Sequence, residues 1–159
     1  MHISSSQERY KGFLDFLYEK HINSDAVQIL ESDGTRFGAY QIVRSWLKQH
    51  QDIHTLSATA IFCVSDYVAC GVYSAFFKCG LQIPHDISVI GYDNNEYSNM
   101  MLPALSTIDI RPFQLGKNAS ELLLNLINDS SQINQIDDNK LTLSPRLIIR
   151  ESAKEIFPT

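Results

Sequence analysis

The sequence predicts an α/β protein built on a parallel sheet, and three observations carry that expectation. Ala60–Val64 (AIFCV) and Ile87–Tyr92 (ISVIGY) are short, continuously apolar runs, the pattern of strands buried on both faces of such a sheet. Each run gives way abruptly to an aspartate, Asp66 after the first and Asp93 after the second. Stretches with the helical spacing of apolar residues lie between and around them, and strands alternating with helices indicate parallel α/β architecture.

The elements follow in order. Ser4–His21 is expected to be a helix whose apolar face is Phe13, Leu14, Phe16 and Leu17 with Tyr10 one turn earlier, and with Gly12 placed for close packing. Ala26–Leu30 is a β-rich run and the next candidate strand. Ser32–Gly38 (SDGTRFG) is rich in turn formers, and Tyr40–Gln49 returns to helical spacing through Ile42, Val43, Trp46 and Leu47. Asp66 is placed to cap the helix Tyr67–Cys79, which Gly80 can close in the left-handed conformation. Leu81–Asp86 is a loop carrying Pro84, and Pro103 and Pro112 bracket an extended piece, Leu105–Ile110. Phe113–Asn128 is a helix expected to turn Leu115, Leu122, Leu123 and Leu126 inward. The polar stretch Asn128–Lys140 reads as loop or weak helix, and Arg146–Arg150 (RLIIR) as a closing strand.

At 159 residues the chain is one domain by length. Its 13 basic and 18 acidic residues leave a net charge of −5, without any run of Lys or Arg. That balance argues against a surface that grips a phosphate backbone, which needs clustered basic residues. The three cysteines, Cys63, Cys70 and Cys79, form no CxxC pair and read as small buried hydrophobes in a reducing compartment. The start MHISSSQERY lacks an apolar signal core and no apolar run could span a bilayer. The expected location is the cytoplasm, with no membrane partner.

No reaction is written in the chain. It has no GxSxG elbow, HExxH pair, Walker loop or GxGxxG turn. His50 and His54 have helical spacing that could hold a metal, but QHQDIH reads better as a solvated helix end. Asp66 and Asp93 at neighbouring strand ends could form an acid–base pair, yet no nucleophile or metal set accompanies them. No enzyme activity, cofactor or metal is expected.

The run TAIFCVSDYVACGVYSAFFKCGLQIPHDISVIGYDNNEYSNMMLPALSTI (Thr59–Ile108) resembles the effector-binding domain of LacI/GalR-type transcriptional repressors. That family carries strand–(N/S)D–helix–GLxVPxDxSVxGYD–PxLTTI almost without gaps. ERYKGFLDFL resembles the helix near the start of the family's C-terminal subdomain, QLGKNASELLLNLI its later helix and SPRLIIRES its last strand, so the likeness runs from about Arg9 to Ser152. The resemblance implies a doubly wound parallel sheet flanked by helices, one lobe of a periplasmic-binding-protein-like fold. It also implies a small-molecule effector, a sugar or a nucleobase, bound between two lobes. Matched by motif, Arg9 is the arginine that reaches the effector and Asp93 the aspartate that accepts its hydrogen bonds. Ser65 stands where the family usually has Asn, and Asp33 and Phe37 lie where it presents polar and aromatic pocket walls. Asp66 is accounted for by its capping role. An arginine and a carboxylate at one cleft suit polyol hydroxyls, each of which donates and accepts.

The family's helix-turn-helix, hinge helix and first lobe have no counterpart in residues 1–159, nor has the strand expected before ISSSQERY. The expectation is therefore an incomplete effector-binding domain, which reaches DNA only through a helix-turn-helix that this chain lacks. A stand-alone periplasmic-type sugar-binding module is the alternative, and it wants a signal peptide. A homodimer is also expected. The helix Tyr67–Cys79 and the segment Tyr97–Leu102 resemble the family's two-fold surface, and Tyr97, Met100, Met101 and Leu102 would otherwise expose apolar groups.

Overall fold

The computed structural model describes residues 4–23, 27–50, 56–128 and 142–155. Its elements are helix α1 (Ser4–Glu19), helix α2 (Arg36–Lys48), strand β1 (Ala60–Phe62), helix α3 (Asp66–Cys79), strand β2 (Ser88–Tyr92), a 3-10 turn (Glu96–Asn99), strand β3 (Ser106–Asp109), helix α4 (Pro112–Asn128) and strand β4 (Arg146–Ile148). The sheet order is β1-β2-β3-β4. β1, β2 and β3 run parallel, as the apolar runs predict, while the closing strand β4 pairs antiparallel with β3.

Strand alternation and the register Ile61↔Val89 and Gly91↔Thr107 place Ile61, Val89, Gly91 and Thr107 on one face. That face carries the core. Val43, Trp46 and Leu47 of α2 and Ala69, Val72, Ala75 and Phe76 of α3 cluster there with Cys63, Val89 and Leu105. Contact between the two helices is close because Gly71 has no side chain, and a Cβ there would lie 2.1 Å from the Arg36 carbonyl oxygen. Gly80 closes α3 at φ 78°, donating to the Phe76 and Phe77 carbonyls. The opposite face carries Phe62 and Tyr92 and receives α1, whose Phe13 ring stacks on Phe62 at 6.2 Å between centroids.

Several expectations fail, each for want of a neighbour. Residues 27–30 form no strand. The segment is instead tied to α2, where Trp46 Nε1 donates to Gln28 Oε1 at 2.6 Å, and Leu30 packs on the core. β1 sits at the edge of the sheet, so Ala60 and Phe62 are exposed rather than buried on both faces. In α1 Leu17 is buried, Tyr10 and Phe16 are exposed, and nothing lies within 4 Å of where a Cβ on Gly12 would be. α4 buries no residue, and Leu115 and Leu123 are exposed rather than inward. Apolar spacing shows which face a helix would bury, not whether a partner is there to cover it. Ala26, His54 and nearly all of the expected polar loop Asn128–Lys140 fall outside the described residues. His50, at the end of α2, has its Nδ1 3.0 Å from the Trp46 carbonyl oxygen.

Candidate functional site

α1 delivers Arg9 to the carboxyl ends of β1 and β2. Its Nη1 donates to the carbonyl of Val64, just past β1, and its Nη2 stands 3.4 Å from Asp93 Oδ1, just past β2. The guanidinium lies 3.8 Å from the centroid of the Tyr92 ring, a cation–π contact. Arg9 and Asp93 therefore converge, at the edge of an open parallel sheet where ligands bind. The ion pair is longer than the usual charge-assisted bond, and its side chains keep 21% and 26% of their exposure. Burial pushes the Asp93 carboxyl above its ordinary value, Arg9 opposes that shift and Asp66 adds to it.

The loop that carries Asp93 is held against its own preference. Asp93 has φ 110° and Asn94 φ 55°, positive values that are uncommon outside glycine, though Asn and Asp take them more readily than other residues. Asp93 N donates to the Ile108 carbonyl at 2.9 Å. Asn94 N donates to Thr107 Oγ1 at 3.3 Å and Asn95 N to Asp66 Oδ2 at 2.8 Å.

Asp66 is structural, but not as the expected cap. Ser65 is the N-cap, its Oγ accepting from Val68 N at 3.2 Å. Asp66 opens α3 itself, is fully buried, and accepts from Thr107 Oγ1 at 2.6 Å. The carboxylate thus ties the start of α3 to β3 and to the loop after β2. Its path crosses Gly91, where a Cβ would stand 2.2 Å from Asp66 Oδ1. The glycine of GYD is there to let a buried carboxylate pass.

Ser65 adjoins Val64, the Arg9 acceptor, though its hydroxyl oxygen is already engaged by the cap. Asp33 and Phe37 lie at the start of α2. Asp33 Oδ1 accepts from Thr35 N at 2.9 Å and Thr35 Oγ1 at 2.7 Å, and both bonds lower its pKa. Thr35 in turn caps α2 by accepting from Gly38 N. Phe37 is exposed and stacks on Tyr40 with centroids 6.4 Å apart. No hydrogen bond or ion pair among the described residues joins Asp33, Phe37 or Ser65 to the Arg9–Asp93 pair. Asp33 does line an open depression with Glu31, Ser32, Gly38, Gln41 and Ser45.

Of the expected two-fold residues, Met100 and Leu102 are exposed at 66% and 90%. Met101 instead packs on the core, with its sulfur 3.8 Å from Cys70 Sγ. Tyr97 is half-buried, its hydroxyl accepting from Asn95 Nδ2 at 3.1 Å. Sequence reading missed Tyr92, which follows Gly91 on the opposite face and was legible from strand alternation. It also missed Thr107 and Arg150, whose partners lie 41 and 56 residues away and leave no local signal.

Among the described residues no group of His, Cys, Asp and Glu could hold a metal ion, and no helix is long and apolar enough to cross a membrane.

Residues 2–153 match the periplasmic binding protein-like domain family. The chain is 36% identical over 156 residues to the HTH-type transcriptional repressor PurR of Vibrio vulnificus (strain CMCP6), an alignment covering 96% of this chain and 43% of that protein. It is 36% identical over 149 residues to the ribose operon repressor of Haemophilus influenzae (strain ATCC 51907 / DSM 11121 / KW20 / Rd), covering 94% and 42%. Among solved structures, a LacI family transcriptional regulator from Enterococcus faecalis V583 with bound ribose matches at TM-score 0.76 and 34% identity, over 96% of this chain and 51% of that one. The lac repressor dimer bound to operator and the anti-inducer ONPF matches at TM-score 0.73 and 26% identity, over 94% and 48%. The chain spans less than half the length of these curated relatives. It belongs to the periplasmic-binding-protein-like domain family, in the form that LacI/GalR-type regulators carry.

Proposed function

We propose that this chain is a small-molecule-sensing lobe of a LacI/GalR-type transcriptional regulator, and that its effector is a sugar. The observation that carries the reading is the Arg9–Asp93 pair at the carboxyl ends of β1 and β2. A hydroxyl between them would accept from the guanidinium and donate to the carboxylate, the two roles that one hydroxyl can fill. A nucleobase fits less well, because the Tyr92 face beside the pair is already covered by Arg9. Ribose in a matched regulator supports the same choice. Ser65 flanks the pair, and Asp33 and Phe37 would belong to an outer wall. The role is binding, not catalysis, with no cofactor, and its place of work is the cytoplasm. DNA contact belongs to a helix-turn-helix joined to such a lobe. The exposed Met100 and Leu102, with Tyr97 beside them, form one half of a two-fold homodimer surface.

Calorimetry of this chain with D-ribose, D-galactose and hypoxanthine tests the effector class. Sugar binding should be weak, with Kd on the order of millimolar, because one lobe buries little of a ligand. Asp93→Asn should abolish it. Hypoxanthine bound more tightly than either sugar, or sugar binding indifferent to Asp93→Asn, would overturn the reading.

A further inference from the structure

Arg150, two residues beyond β4, sends its guanidinium back under the loop that carries Asp93. Nη2 donates to Asn94 Oδ1 at 2.7 Å, and Nη1 donates to the Leu105 carbonyl at 2.6 Å and to Ser98 Oγ at 3.0 Å. These acceptors belong to three pieces of chain: the loop after β2, the 3-10 turn and the entry to β3. All three are neutral, and the ionised guanidinium makes each bond charge-assisted.

The base of Arg150 is itself anchored. Its backbone N–H donates to Ser106 Oγ at 2.9 Å. Glu151 N and Ser152 N donate to the Ala104 carbonyl, and Val89 N donates to the Ser152 carbonyl at 2.8 Å. Buried Ser152 accepts from Ser106 N at 2.7 Å and donates to the Val89 carbonyl at 2.6 Å.

The tie from Thr107 holds the backbone amide of Asn94. Arg150 is the partner that grips the Asn94 side chain. Asn94 sits at φ 55° directly after Asp93 at φ 110°, and such a strained step persists only where its surroundings over-determine it. We infer that Arg150 is a positioning residue for Asp93, holding the left-handed Asp93–Asn94 step so that the carboxylate points at Arg9. The inference rests on the sensing reading only where it concerns affinity. Lysine could not replace it, since a single ammonium cannot reproduce the planar fork that reaches three acceptors.

The test compares the parent chain with Arg150→Lys, Asn94→Ala and the double variant, following the Asp93 carboxyl by carbon NMR across an acid titration and D-ribose by calorimetry. With the tie cut, the carboxyl should swing toward water and its midpoint fall back toward 3.8, because burial is the larger cause of its rise. D-ribose affinity should fall about tenfold. Both single changes cut the Arg150–Asn94 bond, and Arg150→Lys also loosens the bonds to Leu105 and Ser98, so the double variant should shift no further than Arg150→Lys alone. Asn94→Gly in the Arg150→Lys background should restore part of both readouts, since glycine takes positive φ without a tether. A general loosening would not be rescued in that way. An unmoved Asp93 midpoint in a folded Arg150→Lys chain, or shifts that add, would overturn the inference. If Arg150→Lys does not fold, Asn94→Ala alone decides by the same criterion. Absence of D-ribose binding by the parent would sink the sensing reading, while the titration would still decide the positioning role.

Discussion

Gly91 and Asp66 meet across the sheet with no room for a methyl group: a Cβ at position 91 would stand 2.2 Å from Asp66 Oδ1 and 2.8 Å from Leu105 Cδ2. The carboxylate passes over the strand at the only kind of residue that admits it, and so reaches Thr107 on β3 and Asn95 on the loop. Gly91→Ala should destabilise the chain by about 1–3 kcal/mol, the usual range for overpacking. Asp66→Ala should cost more, about 1–3 kcal/mol for each buried donor it orphans. Urea midpoints check both, and an alanine at 91 that leaves the midpoint unmoved would remove the steric account of the GYD glycine.

Asp93 makes the chain less stable as acid is withdrawn. Burial raises its folded pKa above the ordinary 3.8. Between 3.8 and the raised midpoint, therefore, the folded state holds a proton that the unfolded state releases. The stabilisation from Asp93 is fully present below 3.8 and is lost as pH rises through the folded midpoint. Asp93→Asn should remove this component, read as the difference between two stability–pH curves.

Arg9→Gln should move the Asp93 midpoint upward, since the positive guanidinium pulls it down against burial and Asp66. Loss of Arg150 should move the same midpoint downward. Opposite signs from two arginines, read by one carboxyl resonance, distinguish direct charge from loop positioning. A downward shift in Arg9→Gln would mean that the pair is not held as described.

The proposed two-fold surface is probed at Leu102, not Met101. Leu102→Asp should shift sedimentation of the chain toward monomer while leaving its thermal midpoint nearly unchanged, because Leu102 is 90% exposed. Met101→Asp should instead lower the thermal midpoint, since half-buried Met101 packs against the core beside Cys70. Equal association of the parent and Leu102→Asp chains would place the interface elsewhere.

Cys63 should be the last thiol to react. Burial pushes it up to about 12, leaving almost no thiolate near neutral pH, whereas Cys70 and Cys79 are only half-buried. Alkylation followed by mass spectrometry should label Cys63 only as fast as the chain unfolds in urea. Rapid labelling of Cys63 in the native chain would contradict its place under α3.

The likeness to LacI/GalR-type regulators implied that Arg9 meets Asp93, 84 residues away; the residues by themselves determined the parallel α/β class, the strands β1, β2 and β3, and the glycine that ends α3. These are written locally: apolar runs of strand length, a glycine after the last helical turn, a polar DNN after GY. Which residue caps α3 was not legible, because Ser65 and Asp66 are both good caps and only β3 decided between them. Asp66 was drawn into the helix and across Gly91 by Thr107, and Ser65 was left at the cap. Nor could apolar spacing say that α4 buries nothing, that residues 27–30 form no strand, or that Met101 turns inward while Leu102 turns out. Those outcomes depend on whether another element stands opposite, and burial is a property of two surfaces, not of one. Arg150 shows the limit most plainly. Its reach to Asn94 spans 56 residues, and only the antiparallel return of β4 beside β3, with the tail beyond it tied to Ala104, Ser106 and Val89, brings the two together.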